Sequence, residues 1–259
     1  MRTALLAISI LVLAGSLAQC ADSPPPVSGG RERTFARALE LLERAKTPDE
    51  FRKAAAEFEL MLENGYKNGG VYYNTGNAYC RAGDFGKAIA AYRKAKLFRP
   101  RDPFLEENLR QTLSLAPGRL PESPSPWYSN IFFWTTLLSY PEKVYAAFGL
   151  WVLGCLCAAA GLFARTRKAY WLSGAASVAA ILFSIDTALA YGDVNHSNRA
   201  VVVQETIVRK GNSLEYQPAF DKPLKDGAEF TIIDRRGEWV LGHFEGIGDG
   251  WLKESTLVQ

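Results

Sequence analysis

Histidine is almost absent from this 259-residue chain, which holds only His196 and His243. Neither has a cysteine or carboxylate at a metal-ligand spacing, so the usual four-ligand zinc arrangement is not spelled. Glu245 near His243 reads as a solvated edge at a strand-to-turn boundary. Cysteine stops at four residues. Cys155 and Cys157 lie inside an apolar run and read as small apolar fillers, while Cys80 beside Tyr79 reads as a packing residue. A disulfide framework is therefore not expected. A phosphate-cradling glycine loop is missing too. No catalytic, cofactor or metal constellation is expected, which points away from an enzyme. Excess charge of one sign is also lacking. Thirty basic residues stand against 27 acidic ones, a net charge of +3. Nucleic-acid modules show a strongly basic face, so nucleic acid is not an expected partner.

What is present is apolar sequence gathered into three runs. Met1-Arg2-Thr3 precedes an uncharged stretch from Ala4 to Ala18, a basic start and an apolar core of signal-peptide length (1–20). Ser16 and Ala18 offer the small residues a signal peptidase inspects. Leu17-Ala18-Gln19-Cys20 resembles a lipoprotein box, apart from Gln19, and makes Cys20 a candidate lipidation site. Cleavage, lipidation and a retained anchor stay open. Each places the following segment outside the cytoplasm.

Val144–Ala164 and Tyr170–Tyr191 are the other two runs. Each is roughly long enough, at ~1.5 Å per residue, to cross a hydrocarbon core of ~30 Å. The intervening Arg165-Thr166-Arg167-Lys168 carries three positive charges. By the positive-inside rule this loop (165–168) is cytoplasmic and both flanking segments face the periplasm. Tyr145 and Tyr191 fit the outer interface, Tyr170 and Trp171 the inner one. Gly154 with Ala158, Ser173 with Ser177 and Ala175 with Ala179 are small pairs that let two helices approach. Asp186 is the only acidic residue in the runs, and becomes a candidate partner-binding or ion-pathway residue.

Residues 31–116 repeat with a period of about 34 residues. Tyr72, Gly76, Tyr79, Ala88, Tyr92, Ala95 and Pro100 occupy the signature positions of a tetratricopeptide repeat (TPR), which this stretch resembles. Gly76 and Ala88 are small where two helices cross, Gly83-Asp84 makes the turn, and Pro100 stops the second helix. One period earlier Leu42, Ala54 and Phe58 mark a degenerate repeat, roughly 34–67. A capping helix over 103–115 follows, with Leu105, Leu109 and Leu113 on one face. Asn74, Asn77, Arg81 and Lys94 are candidate partner-binding residues of the groove such arrays form.

Residues 117–143 combine a Pro/Ser/Gly linker with an aromatic segment, Trp127 to Tyr140, expected to lie on the membrane surface. From residue 200 the composition turns to short β runs: Val201–Val203, Glu229–Asp234, Glu238–His243 and Gly250–Leu252. Residues 200–259 resemble a small all-β, bacterial SH3-like barrel, with Gly237-Glu238-Trp239 and Gly250-Trp251 as its informative motifs. Trp239 and Trp251 are candidate binding residues.

The expected fold is thus a multidomain membrane protein: α-helical TPR hairpins, a two-helix transmembrane hairpin (144–191) and a C-terminal SH3-like barrel. That order resembles the BatE-like proteins of the Bacteroides aerotolerance group. The resemblance implies a non-enzymatic scaffold in the bacterial inner membrane, acting in an envelope-stress or aerotolerance complex. Its implied partners are von Willebrand factor A membrane proteins and a MoxR-type AAA ATPase. Two alternatives stay open: a receptor that binds peptidoglycan through the barrel, and a transporter-associated subunit acting through Asp186.

Overall fold

The computed structural model describes residues 28–121, 134–164, 166–195 and 198–259. The expected signal peptide, the candidate lipidation site Cys20, residues 122–133 at the end of the linker and the start of the aromatic segment, Arg165 and His196 lie outside them. The chain divides into two compact units, one comprising Gly29–Leu137 with Asp193–Gln259 and the other including Leu138–Gly192.

In the larger unit five helices follow one another: α1 (Ser28–Arg44), α2 (Pro48–Glu63), α3 (Gly69–Ala82), α4 (Phe85–Phe98) and α5 (Pro103–Leu115). Local sequence sets their ends. Thr47 and Glu50 form a reciprocal capping box at the start of α2, with Pro48 in the first turn. Asn68 accepts from the Gly70 and Val71 amides at the start of α3, and Asp102 from Phe104 and Leu105 at the start of α5. Gly83, at φ +83°, closes α3: the Asp84 amide reaches back to the Tyr79 carbonyl, as in a Schellman end. Helix α4 stops at Phe98, ahead of Pro100.

The apolar stripes of these helices meet in one core that contains Leu42, Phe58, Tyr72, Tyr79, Ile89, Tyr92, Leu105 and Leu109. Helices α3 and α4 cross at Gly76. A Cβ built there would lie 2.6 Å from the Tyr92 ring, so a glycine is needed for the ring to fill the crossing.

The C-terminal part is a five-stranded antiparallel sheet: β1 (Arg199–Val202), β2 (Glu229–Arg236), β3 (Trp239–Phe244), β4 (Gly248–Lys253) and β5 (Leu257–Val258), in the order β4-β3-β2-β1-β5. A bulge between Ile232 and Asp234 shifts the β2–β3 register. Residues 203–228 run outside the named strands, and Arg209 exchanges both backbone hydrogen bonds with Trp251 at 2.8 Å. The outer side of β4 is thereby covered rather than left as an open edge. Phe244 anchors the sheet's own core, stacked on Phe230 at 4.8 Å and edge-on to Phe220 at 5.5 Å.

Helices and sheet share one boundary, and β1 is the joint. Its side chains alternate across the strand. Val201 enters the helical core, whereas Ala200 and Val202 enter the core of the sheet. A strand buried on both faces reads as an unbroken apolar run, as Ala200-Val201-Val202 does. Three polar links reinforce the joint. The Gly86 amide donates to Asp226 Oδ1 at 3.0 Å, the Gly118 amide to the Asp226 carbonyl at 2.8 Å, and Arg93 grips both Glu229 oxygens at 2.8 and 2.9 Å. Gly227 has φ +93°, and a Cβ there would lie 2.5 Å from Ala116 Cβ. Gly227→Ala therefore meets a backbone penalty of ~1–2 kcal/mol and a steric one of ~1–3 kcal/mol. It is expected to lower stability by at least ~2 kcal/mol in urea unfolding, whereas Gly237→Ala, whose surroundings are open, carries only the backbone part.

The second unit holds α7 (Tyr140–Ala164) and the larger part of α8 (Arg167–Asn195); the single turn α6 (Trp134–Leu137) precedes them. Both long helices extend beyond the apolar runs read from the sequence. Ser139 explains the earlier start of α7: it and Glu142 bond reciprocally, 2.8 Å from the Ser139 amide and 3.4 Å from the Glu142 amide, with Pro141 in the first turn. Each helix is long and apolar enough to cross a membrane. They run antiparallel, as successive contacts show: Gly161 against Tyr170, the Ser173 hydroxyl on the Gly154 carbonyl at 3.0 Å, Trp151 Nε1 on Ser184 Oγ at 3.2 Å, and Lys143 on Asp186.

Candidate interaction faces

On α3, Tyr73 and Asn77 stand one turn apart and meet α4 and α5 through a ladder of side-chain hydrogen bonds. The Tyr92 hydroxyl donates to Asn77 Oδ1 at 2.8 Å, and Asn108 Nδ2 donates to the same oxygen at 3.0 Å. Asn108 Nδ2 also donates to the Tyr73 hydroxyl at 3.0 Å. Below it, Thr112 donates to the Asn108 carbonyl at 2.7 Å and lies 3.3 Å from Cys80 Sγ. Burial pushes the Tyr92 phenol well above its ordinary pKa, so it remains a neutral donor. Asn74 turns back onto the Gly70 carbonyl at 3.0 Å. Tyr73, Asn74, Asn77 and Asn108 are half-buried. The two candidate asparagines thus belong to a pre-set polar ladder, with internal bonds that fix their orientation.

The two candidate cations sit elsewhere on the helices. Arg81 is exposed and lies over the Phe51 ring at 5.7 Å. Lys94 is half-buried over the Tyr72 ring at 5.9 Å, and burial, followed by repulsion from Lys67, pushes its ammonium pKa down. The signature residues Tyr72, Gly76, Tyr79, Ala88, Tyr92 and Ala95 are all buried in the helical unit.

On the sheet, Trp239 and Trp251 are only 7 % and 8 % exposed. Lys253 lies over the first at 5.7 Å and Arg236 over the second at 5.2 Å, so cations of the chain already cover these rings. His243 Nδ1 is 2.5 Å from Asp249 Oδ1, closer than Glu245 at 3.8 Å from Nε2. Among the described residues no three His, Cys, Asp or Glu side chains converge on a metal-sized site.

Asp186 lies with Lys143, whose Nζ is 3.2 Å and 3.1 Å from its two oxygens. The pair is 7 % exposed on the lysine and 14 % on the aspartate. Asp186 is therefore engaged within its own hairpin.

Sequence reasoning missed Asp226. Helix α4 has Asp84 as its own N-cap, yet that side chain makes no capping bond; Arg52 holds both its oxygens at 2.9 Å. Asp226, 140 residues away, bonds the Gly86 amide at the helix start instead. Burial raises its carboxyl pKa, the Gly86 and Phe85 amides oppose that, and Asp84 adds to the rise. A raised folded-state value stabilises fully below the ordinary 3.8 and is lost as pH climbs through the folded value. Asp226→Asn keeps an oxygen for the amides but does not ionise. Its stability relative to wild type is expected to fall as pH is lowered across that window, read as the gap between the two unfolding midpoints. A gap that stays constant contradicts the assignment.

No family model, curated protein or solved structure matches this chain.

Proposed function

We propose that this chain is a non-enzymatic scaffold of the bacterial inner membrane, holding protein partners on a periplasmic platform of TPR-like helix pairs and an SH3-like sheet. The observation that carries this reading is the joint at β1. Val201, Asp226 and the Arg93–Glu229 fork make helices and sheet a single body, and the half-buried Tyr73–Asn77–Asn108 ladder lies on that body with its polar groups already oriented. A pre-oriented polar face loses little entropy when a partner binds. The two apolar helices are the membrane anchor, with Arg167 and Lys168 at the cytoplasmic turn. Cation coverage of Trp239 and Trp251 favours protein partners over wall components, and the Lys143–Asp186 pairing favours an anchoring hairpin over an ion path.

The likeness to the BatE-like group suggests von Willebrand factor A membrane proteins and a MoxR-type ATPase system as partners. A mild-detergent pull-down of the tagged full-length chain, read by mass spectrometry, tests this. Recovery of those proteins, lost on Asn108→Arg, is the expected result. Their absence, with the protein instead retained on purified peptidoglycan, contradicts it and favours the wall receptor.

A further inference from the structure

Helix α5 closes the row of helices, and a closing helix ordinarily turns a polar face outward. This one does not. Phe104, Asn108, Gln111 and Leu115 recur at helical spacing and share one face of α5. Phe104 is 74 % exposed and Leu115 53 %. Both ends of the stripe are thus apolar and uncovered. Its middle is Asn108, the residue that joins α5 to the ladder.

The ladder leaves two bonds unmade at that middle. Asn108 uses both Nδ2 hydrogens, one on the Tyr73 hydroxyl and one on Asn77 Oδ1. Among the described residues nothing donates to Asn108 Oδ1, and the Tyr73 hydroxyl accepts without donating. A free acceptor and a free donor therefore stand side by side in fixed positions. They complement the N–H and C=O that one residue of an extended chain presents on the same side. A helical partner has no such pair to offer in mid-run, because its own ladder uses them. Charge narrows the choice of chain. Contacts between α3 and α5 advance together, from Asn77 on Asn108 to Cys80 on Thr112, so the two helices run in the same direction. Arg81, next after Cys80, lies toward the Leu115 end, is exposed, and makes no ion pair among the described residues. The distance from Phe104 to Leu115 is roughly 16 Å along α5, which an extended chain covers in about five residues. We propose that this face binds an extended segment of about six residues from a partner protein. One residue of the segment pairs its main-chain N–H and C=O with Asn108 Oδ1 and the Tyr73 hydroxyl. Apolar side chains rest on Phe104 and Leu115, and an acidic one turns toward Arg81. This rests on the scaffold reading and names the kind of segment that the platform holds.

The test uses the full-length protein in mild detergent and a random heptapeptide phage library. The best selected peptide is resynthesised, and its affinity is read by fluorescence anisotropy. N-methylation of one inner residue is expected to weaken it about ten-fold, and the same change at either end to weaken it less. Exchange of its acid for the amide is expected to cost about three-fold at low salt. Tyr73→Phe removes only the donor and is expected to cost about five-fold. Phe104→Ser changes a side chain already in solvent, so the fold stays intact, and is expected to cost about ten-fold. Leu60→Ser, at an exposed apolar position of α2, is the control and leaves binding unchanged. A peptide whose affinity survives every single N-methylation, or ignores Phe104→Ser, overturns the proposal. A library without a binder overturns it too. If partners still come down with the full-length chain and Phe104→Ser releases them, the face takes a folded surface and the scaffold reading stands; if none come down, that reading falls as well. Concentration-dependent dimerisation that Phe104→Ser abolishes overturns it in favour of a second copy of the chain.

Discussion

Tyr92→Ala is expected to lower the stability of the helical unit by about 3–5 kcal/mol, the range of large aromatic truncations in a core. Tyr92 is 1 % exposed and fills the crossing of α3 and α4 above Gly76. Its removal leaves a void that helices fixed at five capped ends close poorly. The lost hydrogen bond to Asn77 contributes less, since Asn108 still donates to the same oxygen. Tyr92→Phe separates the two effects: it keeps the ring and removes only the hydroxyl, with an expected cost of ~0.5–1.5 kcal/mol. Urea unfolding followed by far-ultraviolet circular dichroism reads both. A Tyr92→Ala effect no larger than that of Tyr92→Phe would contradict the packing described.

The second large effect is expected in the hairpin. Lys143→Met leaves Asp186 without its cation in a nearly buried position, and removing one member of such a pair typically costs about 3–5 kcal/mol. Asp186→Asn is expected to cost less. Lys143 lies only three residues inside the start of α7, so its ammonium can snorkel to the interface once its partner is neutral. Asp186 is short and has no such escape. The exchanged pair, Lys143→Asp with Asp186→Lys, restores part of the loss if the ion pair is what matters. Thermal unfolding of the detergent-solubilised chain, followed by tryptophan fluorescence, ranks the four proteins. Equal losses for Lys143→Met and Asp186→Asn, with no recovery in the exchanged pair, would sink the assignment.

The features legible in the sequence were those written locally. Apolar runs mark α7 and α8, Gly83-Asp84 and Pro100 mark the ends of α3 and α4, and the short β runs 229–234 and 238–243 mark β2 and β3. Strand β5 escaped because two residues carry no periodicity, and it forms only by pairing with β1. Asp186 stands out in the sequence as an isolated acid, but nothing local pairs it with Lys143, 43 residues earlier. Asp84 reads in the sequence only as part of the Gly83-Asp84 turn, and nothing local tells that Arg52 holds its carboxylate while Asp226 bonds the start of α4. The joint left one trace: Ala200-Val201-Val202 is apolar without alternation, the pattern of a strand buried on both faces, although only one of them belongs to the sheet's own core.

That joint carries the functional reading, because a platform made of two loosely tethered modules would present no fixed face. Hydrogen–deuterium exchange on the full-length protein tests it most directly, comparing wild type with Gly227→Ala. If helices and sheet form a single body, amides at the start of α4 around Gly86 and those of β1 lose protection together in the variant, although Gly227 belongs to neither element. Loss of protection confined to residues next to Gly227, with α4 exchanging as in wild type, would contradict the account and return the chain to two independent modules.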